Sequence, residues 1–262
     1  MQIREKILQK LAEVEEQEHV TVLHAVESGS RAWGFASPDS DYDVRFIYVR
    51  READYLKLGM QRDVIEWQLD DVYDISGWDL QKVLRLLHGS NPSLLEWCNS
   101  PVVYRTTDYW TGVKDAADAY FSEKAGANHY LSMAKHNYNA YLTGETVRLK
   151  KYFYVLRPVL ACSWILERHS IPPVAFSGLL DSTLDPAMRP IVRDLMQQKM
   201  QTPELGEGAK IPLLHAYLTE QISALEQAVP LLPKEQYPDW EPLDRLFLDG
   251  IRQVHSAIIY AE

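Results

Sequence analysis

Cysteine is almost missing from this chain: Cys98 and Cys162 are the only two in 262 residues, and no C-x-x-C pair occurs. That excludes a disulfide-stapled scaffold, a cysteine-ligated zinc site and a dithiol redox centre. Both thiols sit in apolar, helix-patterned stretches and read as inert core residues. Long apolar runs are missing too, since no stretch of about 18 apolar residues is available to span a bilayer. The opening Met1-Gln2-Ile3-Arg4-Glu5-Lys6 is charged, unlike a signal peptide, so the expected setting is reducing and cytoplasmic, with no membrane partner. Positive charge is in short supply: 27 Lys+Arg face 37 Asp+Glu, a formal charge of −10. This is the wrong sign for indiscriminate coating of nucleic acid, and any phosphate contact has to be local. The eight histidines show no H-E-x-x-H or other zinc spacing. Without a Walker A loop, a G-x-S-x-G elbow or a kinase signature, P-loop ATPases, serine hydrolases and kinases are excluded as well.

What is present begins with an ordinary globular balance, 46% hydrophobic and 24% charged residues in a length that suits two modest modules. Ile3, Ile7, Leu11 and Val14 recur at helical spacing, which predicts an amphipathic helix over residues 1–18 lying on a sheet. Val20 to Val26 and Asp43 to Val49 read as strands, and Val64–Gln68 with Val72–Ile75 as a hairpin around Leu69-Asp70-Asp71. A helix is expected from Gly77 to about His88, with Leu80, Val83, Leu84 and Leu87 on one stripe. Beyond residue 107 no alternating pattern survives. Helices are predicted over 113–143, 146–168, 186–200, 211–228 and 240–260, with breaks at Gly144, Ile171-Pro172-Pro173, Pro203 to Gly208 and Pro230 to Pro238. The expected organisation is a sheet-bearing domain over 1–107 followed by an all-helical domain over 108–262.

The chemistry concentrates in Gly29-Ser30-Arg31-Ala32-Trp33-Gly34-Phe35-Ala36-Ser37-Pro38-Asp39-Ser40-Asp41-Tyr42-Asp43. Asp41 and Asp43 are two apart at the start of a strand, so the period of two puts both carboxylates on one face. Two like charges so close call for a cation, and hard oxygen donors favour Mg²⁺, with Mn²⁺ as the substitute. Gly29-Ser30, at a strand-to-helix turn, offers backbone N–H groups, a hydroxyl and the positive end of a helix dipole to a phosphate. Arg45 keeps the parity of Asp43 and Asp41, where it either neutralises phosphate or forms a structural ion pair with the carboxylates; Arg31 flanks the same turn. Trp33 and Phe35 read as core before they read as base-stacking residues.

Gly-Ser, ten residues, then Asp-x-Asp between two strands resembles the signature of the DNA polymerase beta nucleotidyltransferase superfamily. Gly29 to Phe35, Ser40 to Arg45, Gly77-Trp78-Asp79-Leu80, Ser90-Asn91-Pro92, Leu95-Glu96-Trp97, Lys151-Tyr152 and Leu156-Arg157-Pro158 extend this to a likeness with the RlaP/YcgL-type nucleotidyltransferase family, associated with RNA repair. That resemblance implies an α+β fold, a polymerase-beta-like mixed sheet with helices ahead of the helical domain. It also implies two-metal transfer of a nucleoside monophosphate from an NTP such as ATP, with pyrophosphate leaving. The acceptor it implies is an RNA end; related cores also modify a protein or an aminoglycoside-like hydroxyl, and some relatives are non-catalytic nucleotide-binding regulators. Superfamily members carry a third carboxylate on a neighbouring strand, which helps deprotonate the acceptor. Asp74 is the favoured candidate here, with Glu66 and Asp71 as alternatives. Asp41, Asp43 and the third carboxylate would carry the metals, and Ser30 would hold the outer phosphates.

A second constellation lies in the helical region. Residues 124–170 carry a local charge of +5 against −15 for the remainder. Lys150, Tyr154 and Arg157 follow i, i+4, i+7 spacing, with Lys151 within a turn of Tyr154. The four form a candidate triphosphate clamp, set against the ordinary reading of a solvated helix face. Pro158 removes one helical hydrogen bond and is expected to kink this helix.

Overall fold

The computed structural model describes residues 2–59, 61–202, 206–234 and 238–259, with side chains through Arg252. The chain is α+β. In order it forms α1 (Ile3–Glu18), β1 (Thr21–Glu27), α2 (Gly29–Ala32), β2 (Tyr42–Val49), α3 (Glu52–Tyr55), β3 (Val64–Leu69), β4 (Tyr73–Asp79), α4 (Leu80–His88), α5 (Pro92–Cys98) and β5 (Val103–Thr106). Then follow α6 (Asp108–Ala119), α7 (Glu123–Tyr141), β6 (Thr146–Arg148), α8 (Lys151–Arg168), α9 (Phe176–Ser182), α10 (Arg189–Gln201), β7 (Glu207–Ala209), α11 (Pro212–Ala228) and α12 (Glu241–Ile259). Among the described residues no helix is long and apolar enough to cross a membrane.

Two compact units emerge. The first contains residues 1–29, 41–120 and 237–262; the second contains 30–40 and 121–236. The grouping therefore divides the chain elsewhere than at 107/108. α6 and α12 pack with the sheet, because α12 lies on α4, α6 and β2, and the segment Ser30–Ser40 belongs with the helices.

In the first unit a mixed five-stranded sheet runs β3-β4-β2-β1-β5, with β2 and β4 parallel and every other pair antiparallel. α1 buries Ile7, Leu11 and Val14 completely against the sheet residues Val22, Ala25, Val44, Phe46 and Ile75. At roughly 1.5–3 kcal/mol for each large aliphatic side chain removed from water, that stripe accounts for the helix's place on the sheet. α4 buries Leu80, Val83, Leu84 and Leu87, starts where the Asp79 carboxylate accepts from the Gln81 N–H at 2.8 Å, and stops at Gly89. The helix expected from Gly77 thus begins three residues later. Gly77 is a strand residue whose missing side chain admits the Phe46 ring, since a Cβ there would lie 2.1 Å from Phe46 Cε2. β5, α3, α5 and α9 are elements that periodicity did not reveal; they are too short to establish a period.

The second unit packs α8 against α7, α9 and α11 around Phe35, Tyr130, Phe153, Leu156, Leu160 and Phe176. The single helix expected over 113–143 is broken at Tyr120 to Ser122, where the Ser122 hydroxyl caps α7 by accepting from the Ala125 N–H at 3.0 Å. Nor is the region all-helical: Thr146–Arg148, expected to open a helix, pairs with Glu207–Ala209 as an antiparallel ribbon. Of the expected breaks, Pro203 to Leu205 and residues 235–237 lie outside the described residues, as does the end of the 240–260 helix at Tyr260.

Candidate active site

The site in the first unit starts from two strands. In the parallel pair β2–β4, Asp43 stands directly opposite Asp74 and Val44 opposite Ile75. Buried Val44 and Ile75 point into the core, so strand alternation turns the neighbouring aspartates to the other face, where their side chains keep 22% and 28% exposure. Arg45, at the parity of Asp43, crosses to the same place. Its guanidinium forks onto Asp74 at 2.9 and 2.6 Å, reaches Asp43 Oδ1 at 3.2 Å, and donates to the Asp74 carbonyl at 2.7 Å. The ion-pair alternative for Arg45 is the arrangement observed. Glu66 faces Ser76 from the edge strand and is exposed, and Asp71 is an exposed turn residue, so neither stands opposite Asp43.

Asp43 is held from behind by a residue that sequence reading missed. Glu27 ends β1 almost fully buried; its Oε1 accepts from the Asp43 N–H at 2.8 Å and its Oε2 takes the Tyr104 hydroxyl. The Ser28 N–H donates to the Asp43 carbonyl at 2.8 Å. A carboxylate closing a run of β-branched and apolar residues, Val20 to Val26, was the available signal. Gly29 then passes over the Asp43 side chain. With φ +57° it adopts the left-handed conformation, and a Cβ would fall 2.0 Å from Asp43 Oδ2. The glycine of the motif is therefore required by the carboxylate beside it. Asp41 lies just before β2, one residue ahead of its first residue Tyr42, and is exposed.

The fit to a divalent cation rests on donor chemistry. Asp43 and Asp74 in register offer oxygen donors of the kind Mg²⁺ prefers, and in this structure the positive charge beside the pair is that of Arg45. Among the described residues, no three His, Cys, Asp or Glu side chains gather closely enough to enclose an ion.

The helix expected after the Gly-Ser turn is a single turn, Gly29–Ala32, ended by Gly34 at φ +87°; four residues make little of a helix dipole. In the second unit the Ser30 hydroxyl donates to Ser40 Oγ at 3.1 Å, and Arg31 donates to the Ser40 carbonyl, so both close the loop that joins the strands. Phe35 is core, packed on Phe153 at 4.7 Å and Phe176 at 5.3 Å, with its carbonyl accepting from buried Lys199 at 3.0 Å.

The proposed clamp on α8 divides by exposure. Lys150 occupies the N-cap and Lys151 the first helical position, both half-buried, and Tyr154 is exposed on the first turn. Arg157 is only 3% exposed, its guanidinium 4.6 Å over the Trp33 ring, which makes it a packed cation instead of a solvent-facing one. Pro158 lies inside α8, and the helix continues on both sides of it. The Tyr154 carbonyl, deprived of its donor at Pro158, accepts from the Asn137 side-chain amide of α7 at 2.8 Å. Elsewhere the basic stretch is partly spent on ion pairs, Lys135 with Glu226 and Arg148 with Glu207. Burial pushes both cysteine thiols up to about 12, in line with inert packing.

Residues 3–249 match the model of the RlaP family, described as the RNA repair pathway DNA polymerase beta family. The chain is 40% identical over 257 residues to "Uncharacterized protein YcgL" of Bacillus subtilis (strain 168), covering 96% of this chain and 98% of that one. A crystal structure of a nucleotidyltransferase-like protein from Exiguobacterium sibiricum 255-15 aligns over 87% of this chain and 75% of that one, with TM-score 0.32 and 15% identity. At that level of superposition the likeness bears on neither fold nor activity.

Proposed function

The chain belongs to the RlaP family, the RNA repair pathway DNA polymerase beta family, and from that premise we propose that it is a metal-dependent nucleotidyltransferase that moves a nucleoside monophosphate from an NTP to the hydroxyl of an RNA end. The observation that carries this reading is the register of Asp43 against Asp74 beneath a glycine whose missing side chain makes room for the Asp43 carboxylate. In the proposed reaction the acceptor oxygen attacks the α-phosphorus, the bond to the β-phosphate oxygen breaks and pyrophosphate leaves. Asp41, Asp43 and Asp74 would hold Mg²⁺ or Mn²⁺, which when bound stabilises the attacking and leaving oxygens.

The protein's own contribution is orientation. Glu27 and Ser28 fix the Asp43 backbone on both sides, which holds in place the strand position from which its carboxylate projects. Asp74 is the group that accepts the acceptor's proton, at an oxygen now engaged by Arg45. Arg45 therefore has to yield Asp74 before that step, and a guanidinium released beside an incoming triphosphate becomes a ready phosphate partner. Gly29, lying over the Asp43 carboxylate in the same unit, is the proposed border of the nucleotide on that side.

The test is label transfer from each α-labelled NTP in Mg²⁺ to RNA, protein or aminoglycoside acceptors. Wild type is expected to label RNA, and Asp43→Asn or Asp74→Asn to lose at least about a hundredfold, the range for removing one charge-stabilising group from such a site. Labelling of protein or drug alone would replace the acceptor. Equal labelling by the Asp43→Asn variant would overturn the assignment of the site.

A further inference from the structure

Tyr141, which no reading above uses, closes α7, and Lys151 and Tyr154 lie one helical turn apart at the start of α8. The Lys151 ammonium sits 4.0 Å from the Tyr141 ring centre and 4.4 Å from that of Tyr154. Both phenols stay open to solvent, 39% and 40% exposed, although an aromatic ring gains by burial. The row continues inward: Trp33 meets Tyr154 edge-on at 6.2 Å, and Arg157 lies over Trp33 at 4.6 Å. Two cations are thus interleaved with three aromatic rings from surface to core, all within the second unit.

We propose that this row is a stacking platform for an unpaired RNA strand, with Tyr141 and Tyr154 taking successive bases and Lys151 the phosphate between them. Exposed rings interleaved with cations bind single strands because every base offers a π face, whereas a duplex hides those faces. One NTP carries one base and has use for one ring; two rings flanking one ammonium suit a strand. The overall acidity of the chain argues against tracking along duplex phosphates, and confines strand contact to a local patch of this kind. The platform is also braced. Asn137 on α7 holds the Tyr154 carbonyl that Pro158 leaves without a helical donor, which ties together the two helices presenting the two rings. The inference rests on the proposed RNA acceptor and names the residues that would receive it.

The test is fluorescence anisotropy of a labelled eight-nucleotide single-stranded RNA and of a blunt hairpin duplex, on wild type and on the Asp43→Asn variant, with ATP binding measured by calorimetry in parallel. Tyr141→Ala and Tyr154→Ala are each expected to weaken single-strand binding by about 5- to 100-fold. Tyr→Trp should retain it. Tyr→Leu, which keeps apolar volume without the π face, should behave as Ala, and circular dichroism melting of every variant separates lost binding from lost fold. Asp43→Asn should show the same dependence on both tyrosines. Leu variants that bind like wild type, a duplex bound as tightly as the single strand, no binding of single-stranded RNA, or a Tyr141→Ala loss confined to ATP would each overturn the platform. Tyrosine-dependent RNA binding in a protein that transfers no nucleotide supports the platform while overturning the enzyme reading; transfer to RNA with no tyrosine dependence does the reverse.

Discussion

The parallel strands β2 and β4 have an arginine set against aspartate at each end: two aspartates at the N-terminal end, one at the C-terminal end, where the arginine directly follows β2. At the N-terminal end, Arg45 bridges Asp43 and Asp74; at the C-terminal end, Arg50 approaches Asp79 at 3.9 Å. The first group is partly wet, with both carboxylates more than a fifth exposed, while the Asp79 and Arg50 side chains keep only 5% and 9%. Neighbours complete the contrast. Asp79 accepts the Tyr55 hydroxyl at 3.0 Å and the Gln81 N–H at 2.8 Å, so it caps α4 while pinning α3, and the Tyr55 ring packs edge-on against Phe247 of α12. Burial raises the Asp79 carboxyl above the usual aspartate range, raises Tyr55, and pushes the Tyr48 hydroxyl up to about 12. The same residue types thus become a structural staple where every oxygen is used inside the protein and a candidate site where solvent still reaches them.

The sharpest way to break that comparison is Asp79→Ala. It removes the carboxylate facing buried Arg50, takes away the acceptor of the Tyr55 hydroxyl proton and uncaps α4, so a loss of about 3–5 kcal/mol is expected, read as a lower urea midpoint. Asp43→Asn should lose transfer while keeping its midpoint within about 1 kcal/mol, as suits a part-exposed group. Midpoints that fall equally in both variants would abolish the distinction between staple and site.

Acid should expose the buried side of the same unit. His24 is buried on β1, stacked on Trp110 at 4.4 Å, and desolvation lowers its pKa to about 4. The unfolded chain therefore binds a proton that the folded protein refuses, and stability is lost as pH falls from about 6.5 towards 4. Between pH 7 and pH 5 this single group should cost about 2 kcal/mol, measured as a drop in urea midpoint that His24→Phe flattens. A wild-type midpoint with no greater acid sensitivity than the His24→Phe variant would contradict the assignment.

The smallest effect is expected at Arg45→Gln. Losing the guanidinium leaves Asp43 and Asp74 facing one another across the register, at a cost of about 1 kcal/mol given their exposure. Added Mg²⁺ should raise the thermal midpoint of this variant more than that of wild type, because the ion takes over the neutralising charge. Equal shifts would mean that Arg45 and the metal do not share a place.

Legibility followed sequence distance. α1, β1 and β2 were readable because each sets its period within a few residues, and Asp74 was favoured because its strand could be located, although register alone put it opposite Asp43. Gly77 misled: glycine before a helical stripe reads as a break, and only the Phe46 ring from the neighbouring strand shows that it is strand interior. On α8 the i, i+4, i+7 spacing had no means of showing that Arg157 packs over Trp33, more than 120 residues away along the chain.

By itself the amino-acid sequence determined the fold class, the Gly29–Asp43 motif and the local excess of positive charge, because periodicity, turn chemistry and composition act over neighbouring residues. Tertiary structure alone decided which carboxylate meets Asp43, that Glu27 braces it, that Arg45 bridges the pair, and that Asp79 became a staple. Each of those outcomes depends on which distant strand supplies the next hydrogen-bonding edge and on how much water is left between them.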